Sequence, residues 1–373
     1  MPYAYRSKGL RLAAAVIDFI GGTLLPHSRL PIKRHFKRIL VVKLDHLGDC
    51  FLITPIFQYL KEGFKGAATG MIVDVLCQSS TVPIFENNPW IDNIICLDFF
   101  RWTRLNKTSV GKKFKESLLL LKRLKTHHYD LFIDTRGEMF TSLLGVLIGV
   151  RQRLGFEKEE FFGFFYTHPL RFDKTVHETK KYEIILKALG IAIHSWLPRV
   201  YLHKEEFAWI DTFAETSLPR QFMCIHTGAG LPYKVWSFNR FMQLIEKIAQ
   251  VHSYHFVLIG SSEDKAYGKI ENHKRITDLR GTLTIRQTYG VISKCEGFIG
   301  NDSVLAHFAG ALQVRTVELM NGVIDKNRWH AIGSNVIILT GYNKGHKCKY
   351  GRCAYPCPHM NEIQVNDVLK VII

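Results

Sequence analysis

Strand-length apolar runs alternate with segments of helical period along most of the chain. In the first half, residues 39–42, 71–77, 94–97 and 131–134 are short runs rich in Ile, Val and Leu, and they read as strands. Residues 54–62, 110–125 and 140–150 lie between or after them and read as helices with one apolar stripe. A second series starts near Phe222: "FMCIHTGAG" is a strand entering a glycine loop, "SFNRFMQLIEKIAQ" its helix, and "HFVLIGSSED" the next strand and loop. It continues through the helix "LTIRQTYGVISKC", the strand "GFIGNDS", the short helix "VLAHFAGAL" and the strand "RTVELMN". Residues 174–204 join the two series and carry a helix within "ETKKYEIILKALG". Apolar strands alternating with helices predict an α/β fold with parallel sheets. Two such series in 373 residues predict two doubly wound, Rossmann-like domains facing across a central cleft. Ligands of open parallel sheets bind beyond the carboxyl ends of the strands, so the chemistry is sought in strand-end loops.

Four loops stand out. In "KLDHLGD", Gly48 permits a tight turn and Asp49 follows the first strand; it reads either as a general base or as the N-cap of the next helix. Lys43, Asp45 and His46 share that loop. "HTGAGLPYKVWS" offers Thr227, Gly228, Gly230 and Lys234, a set suited to phosphate, although neither a P-loop nor a dinucleotide fingerprint. The alternative is a turn with a solvated lysine. In "IGSSEDK", Glu263 could reach a ribose hydroxyl or simply face water. In "GNDSVLAHFAGAL", Asn301, Asp302 and Ser303 lie at a strand end, and helical spacing brings His307 toward the same face. A satisfied core histidine is the competing reading of His307.

Charge narrows the partners. Fifty Lys and Arg against 33 Asp and Glu give a formal net charge of +17, which favours anionic partners. No nucleic-acid reading motif accompanies that charge, so nucleic acid is not expected. The stretch from Leu10, interrupted by Asp18, Gly21 and Gly22, is too short to span a bilayer. It reads as a basic amphipathic arm resting on a membrane or on its own domain. Cys50, Cys77, Cys96, Cys224 and Cys295 sit in apolar contexts and are expected as buried free thiols.

Taken together, "ILVVKLDHLGDCFLITPIFQYL", "NPWIDNIICLD", "FIDTRGEMFTSLLGVLIGVRQRLGF", "GAGLPYKVWSFNRFMQLI" and "GFIGNDSVLAHFAGAL" resemble, in order, the motifs of the bacterial heptosyltransferases of glycosyltransferase family nine. The resemblance runs from Ile39 to the C-terminus. It implies the GT-B architecture and inverting, metal-independent transfer of a sugar, usually heptose from ADP-heptose, with no cofactor required. Carried over, Asp49 matches the catalytic aspartate of the Gly-Asp pair, and Lys234 the lysine that neutralises the donor diphosphate. Thr227 and Gly228 lie in the loop beside that lysine. Asp302 and His307 match the Asp-x-x-x-x-His of the donor site, with Ser303 between them, and Glu263 aligns loosely with an acidic residue at the nucleoside. Lys43, His46 and Arg136 fall on the acceptor side, Arg136 where the family usually has a glutamine. Two departures touch the donor: Val304 stands where a glycine is common, and "VIDKNRWHAIG" replaces a Gly-Pro-Thr turn.

The expected organisation is a basic arm at 1–36, an acceptor-binding domain at 37–204 and a nucleotide-sugar-binding domain at 205–373 with a Cys-rich tail and final helix. The expected acceptor is an anionic glycan or glycolipid such as lipopolysaccharide inner core, met by Lys and Arg of residues 101–125 and by Arg136. That places the protein in the cytoplasm at the cytoplasmic face of the inner membrane, with peripheral contact to anionic lipid. Another nucleotide sugar, carrying a hexose or N-acetylhexosamine, and a non-catalytic nucleotide-sugar-binding protein are the alternatives. In the tail, Cys348, Cys353, Cys357 and His359 could supply one tetrahedral structural metal site, against free or paired thiols.

Overall fold

The computed structural model describes residues 32, 35–64, 70–98, 110–157, 163–271, 273–348, 353 and 355–372, with side chains of the 110–126 helix described from Leu118. The expected N-terminal arm lies almost wholly outside the described residues, as do the basic residues of 101–109. Contacts divide the chain into two units. One runs to Asp173 and resumes over Thr179–Trp196; the other holds Lys174–Glu178 and Leu197–Ile373.

The first unit comprises β1 (Arg38–Lys43), α1 (Leu47–Leu52), α2 (Pro55–Gly63), β2 (Ile72–Cys77), α3 (Val82–Phe85), β3 (Asn93–Cys96) and α4 (Val110–Thr126). It continues with β4 (Leu131–Asp134), α5 (Met139–Leu147), β5 (Gln152–Phe156), β6 (His168–Leu170) and α6 (Lys180–Ala188). The second comprises α7 (Lys204–Ser217), β7 (Phe222–His226), α8 (Phe238–Val251), β8 (His255–Ile259), β9 (Ile276–Asp278), α9 (Ile285–Ile292) and β10 (Gly297–Asn301). Then follow α10 (Val304–Ala311), β11 (Arg315–Asn321), α11 (Lys326–Trp329), β12 (Val336–Gly341), α12 (Pro358–Asn361) and α13 (Val365–Ile372).

Each unit is one six-stranded parallel sheet, ordered β3-β2-β1-β4-β5-β6 and β12-β11-β10-β7-β8-β9. Both follow the doubly wound order, which reverses direction between the first and fourth strands of each series. The switch points are therefore β1/β4 and β7/β10, where the chain loops diverge to opposite faces and leave room for a ligand.

The central strands are apolar because helices cover both faces. All five residues of β7 and all four of β4 are buried. In α8, Phe241, Leu244, Ile245 and Ile248 repeat at three- and four-residue spacing and are fully buried against the second sheet. The helix α13 packs on α8 through Val368 and Ile372, so the C-terminus closes this core.

The stretch after β1 differs from the expected loop followed by one helix. It forms two helices, α1 and α2, separated at Ile53–Thr54 by Pro55 at the first position of α2. A proline has no N–H to continue the α1 ladder, but its fixed φ suits a helix start. Asp49 is consequently the third residue of α1, and the N-cap position belongs to His46. Of the thiols expected to be buried, Cys96 is exposed, because β3 is an edge strand and turns that residue outward. Among the described residues, no helix is long and apolar enough to cross a membrane.

Candidate functional site

In the first unit the candidates gather at the β1/β4 switch point. Lys43 ends β1 and is 2% exposed, with Nζ 2.8 Å from Asp45 Oδ2 and 5.5 Å from the Tyr182 ring centroid. Arg136 follows β4, places Nη1 2.9 Å from Asp45 Oδ1 and Nε 2.8 Å from Glu138, and donates to the Leu44 carbonyl. Asp134 fixes this second loop. Its carboxylate accepts from Tyr166 Oη at 2.6 Å and from the backbone N–H groups of Arg136 and Gly137. Gly137 has φ +69°, and a Cβ there would lie 2.3 Å from the Phe156 carbonyl oxygen, so the turn requires glycine.

The electrostatics separate the carboxylates of this loop. Burial would raise the pKa of Asp45, but Lys43 and Arg136 outweigh it and hold the group at about 2. Burial likewise opposes the charge on Lys43, yet Asp45, Tyr182 and Asp49 together push its pKa well above the usual lysine value. A carboxylate clamped at about 2 is a weak proton acceptor at neutral pH. Asp49 is half-buried in the first turn of α1, with its carboxylate near enough to Lys43 to favour the ammonium form. His46, exposed, precedes it without a side-chain capping bond.

In the second unit the candidates converge on β7/β10. Lys234 ends a 3₁₀ turn, Pro232–Lys234, and its Nζ lies 2.7 Å from Asp302 Oδ2 just beyond β10. Asn301, fully buried, ties the loop together: Oδ1 accepts from Trp236 N–H at 2.9 Å, and Nδ2 donates to the Gly228 carbonyl at 3.0 Å. Thr227 is buried, with Oγ1 3.4 Å from Arg280 Nη1. Gly228 packs against Asp264; a Cβ there would sit 1.9 Å from Oδ1. Ser303 caps α10 by accepting from Leu305 N–H, and its Oγ is 3.0 Å from His226 Nδ1.

His307 is buried on α10, and its Nδ1 has no hydrogen-bond partner among the described residues. Burial lowers its pKa to about 4, despite the opposing pull of Asp302, so the ring is neutral at pH 7. Glu318, on the neighbouring β11, is pushed up to about 8 by burial, reinforced by Asp302. One of its oxygens accepts from Ala331 N–H at 2.8 Å.

The structure thus brings Lys43, His46, Asp49 and Arg136 to one switch point, and Thr227, Gly228, Lys234, Asp302, Ser303 and His307 to the other. Glu263 is not gathered with them. It is exposed in the turn Ser262–Tyr267, while its neighbour Asp264 is buried and accepts from Ser261 N–H at 2.8 Å and meets His226 Nε2 at 3.3 Å. His226, Asp264, Arg280 and Glu318 are polar residues at this site that the motifs did not single out as ligands. The only signal for them is a polar residue at or near the end of an apolar run. In the tail, the four donor atoms that cluster belong to His346, Cys348, Cys353 and Cys357. His359, expected as the fourth, instead accepts from Asn343 N–H at 2.9 Å through Nδ1 and stacks on Tyr342.

Known proteins share this fold. The glycosyltransferase family 9 (heptosyltransferase) profile matches residues 118–359. Lipopolysaccharide heptosyltransferase 3 of Escherichia coli strain K12 is 25% identical over 304 residues, covering 78% of this chain and 84% of its own. A solved glycosyl transferase family 9 protein from Veillonella parvula DSM 2008 superimposes with a TM-score of 0.73 at 20% identity, over 91% of this chain and 97% of that one. The E. coli ADP-heptose LPS heptosyltransferase II gives 0.68 at 19% identity, over 90% and 97%. The fold is accordingly GT-B, built from two Rossmann-like units. With a profile match across well over half of its length, the chain belongs to glycosyltransferase family 9, the heptosyltransferases, and is a glycosyltransferase.

Proposed function

We propose that the protein transfers a heptose or closely related sugar from an ADP-heptose-type donor to an anionic glycan or glycolipid, such as lipopolysaccharide inner core, with inversion and without a catalytic metal. The second unit binds the donor and the first the acceptor, at the cytoplasmic face of the inner membrane. The observation that carries this reading is the Lys234–Asp302 pair at the β7/β10 switch point. It sets an ammonium group beside a glycine loop where a nucleotide diphosphate binds in doubly wound sheets. The ADP-heptose named for the E. coli heptosyltransferase II supports the choice of donor.

In this mechanism Asp49 removes the proton of the acceptor hydroxyl as its oxygen attacks the anomeric carbon opposite the leaving diphosphate. Asp45 is unsuited to that role, being held at about 2 between two cations. The transition state has oxocarbenium character. Negative charge grows on the departing diphosphate, where Lys234, Thr227 and the N–H groups from Gly228 onward stabilise it. Asp302 and Ser303 orient Lys234 and the cap of α10. The neutral ring of His307 offers its unpartnered nitrogen to the donor side. His46 and Arg136 meet the anionic acceptor, while buried Lys43 acts behind them by holding Asp45.

A panel of nucleotide sugars tested by thermal shift identifies the donor. A ligand at about a hundred times its Kd stabilises the folded state by about 2.7 kcal/mol. ADP-heptose is expected to raise the melting temperature most. Failure of every nucleotide and nucleotide sugar to shift it overturns the reading, and a larger shift with a UDP-hexose moves the donor to another sugar.

A further inference from the structure

Behind the turn that carries Lys234, three sulfurs and one imidazole meet. The donor atoms of His346, Cys348, Cys353 and Cys357 lie within 4.8 Å of one another. His346 Nε2 is 3.2 Å from Cys353 Sγ, and Cys353 Sγ is 3.4 Å from Cys357 Sγ. In a tetrahedral Cys₃His site with metal–sulfur bonds of about 2.3 Å and a metal–nitrogen bond of about 2.0 Å, ligand atoms are roughly 3.5–3.8 Å apart. The observed separations bracket that range, so side-chain rotation alone closes the set on one ion.

One neighbouring side chain is placed to support a ligating sulfur. Cys357 is fully buried, and Asn321 Nδ2 at the end of β11 lies 3.3 Å from its sulfur. An amide donor aimed at sulfur stabilises a ligating thiolate in the way outer-shell hydrogen bonds do around metals. A disulfide accounts for less. Sulfurs 3.4 Å apart are not bonded, and pairing any two of the three thiols strands the third with the imidazole.

We propose that His346, Cys348, Cys353 and Cys357 bind one thiophilic transition-metal ion, zinc or ferrous iron, in a closed tetrahedral site. All four positions are protein ligands, which makes the site structural: it holds the tail and takes no part in sugar transfer. Binding exchanges each thiol proton for a metal–sulfur bond and changes no oxidation state.

The test uses the full-length protein, without a histidine tag, purified anaerobically without chelator. Elemental analysis is expected to find one zinc or iron ion per chain, and which element appears distinguishes the two. Cys353→Ser combined with Cys357→Ser is expected to lose at least nine-tenths of the metal, while Cys96→Ser retains it. Because the double variant can fail to fold, a second measurement uses native protein stripped of metal and refilled with Co(II). Thiolate-to-cobalt charge-transfer bands and tetrahedral ligand-field bands are expected, and His346→Ala should shift the latter. Metal-free protein that takes up no Co(II), or a Cys353–Cys357 disulfide found by mass spectrometry in the purified chain, overturns the proposal.

Discussion

Asp45 and Asp49 stand four residues apart at the start of α1, yet their surroundings give them different acid–base character. Asp45 is neutralised by Lys43 and Arg136, so Asp45→Asn should cost stability and leave those cations misplaced. Asp49→Ala is expected to lower kcat about 10²–10⁴-fold, the usual contribution of a general base, with donor Kd unchanged. Equal losses in turnover and donor binding would instead mark Asp49 as a structural element of α1. A second pair acts on stability. Folded His307 holds a proton only below about 4, against 6.5 normally, so its contribution is complete above 6.5 and is lost as pH falls from there to 4. Folded Glu318 keeps its proton up to about 8, against 4.5 normally, so its contribution is complete below 4.5 and is lost as pH rises to 8. The two slopes cancel between 4.5 and 6.5, leaving a net loss from 6.5 to 8. Urea denaturation should show that alkaline loss, and Glu318→Gln should remove it. A variant that keeps the full decline would assign it to another group.

At the scale of elements, the donor loop depends on close packing. The Gly228 backbone touches Asp264, which is itself fixed by Ser261 and His226, so Gly228→Ala should destabilise by about 1–3 kcal/mol and weaken nucleotide binding. Unchanged melting temperature and nucleotide affinity would show that Asp264 can move aside. The loop is also braced from the tail. Asn321 Nδ2 lies 2.7 Å from the Tyr233 carbonyl as well as near Cys357, and Tyr355 Oη accepts from Phe238 N–H at 3.0 Å. Chelation of the bound metal should therefore lower the melting temperature and raise donor Kd more than it lowers kcat. No change in either on verified metal loss would uncouple the tail from the loop. The strands β1 and β4 were legible from the apolar runs Ile39–Val42 and Leu131–Ile133, and β11 from Val317, Leu319 and Met320. By contrast, β5, β6 and β9 were not, since they sit toward sheet edges and mix in Gln, Arg, Thr, Pro and Asp. The helix α7 was missed because its residues are mostly exposed and its apolar stripe is weak.

Over the whole molecule, the +17 charge predicts how the acceptor is met. Raising salt shortens the Debye length from about 10 Å at 0.1 M, so an anionic acceptor's KM should climb with salt while donor Kd changes less. Charge reversal at Arg123 and Lys125, in the last turn of α4, should raise acceptor KM without altering donor affinity. Acceptor kinetics indifferent to both changes would point to a neutral acceptor. The two-series architecture was legible in the alternation of strands and helices, and so were Lys234 and Asp302, whose loops interrupt apolar runs. Asp264 and Glu318 were not, because burial is a tertiary property: neighbouring carboxylates at 263 and 264 look alike until the turn points one inward. The same limit concealed His346, which lies before the cysteine-rich stretch while His359 lies just after it.

The chain's path has a further consequence for how the protein is made. Residues Lys174–Glu178 belong to the second unit, although the next eighteen, Thr179–Trp196, return to the first. Within that short piece Glu178 is 4% exposed on its side chain and pairs at 2.8 Å with Arg328, 150 positions later, and His177 reaches the His330 carbonyl. During synthesis this segment leaves the ribosome before any strand of the second sheet exists. The first unit can therefore finish folding around it, but the second stays incomplete until almost the whole chain has emerged. A fragment starting at 197 should accordingly melt below one starting at 174, since it lacks the partner of Arg328. The gene cannot be cut into two self-sufficient halves at a single point.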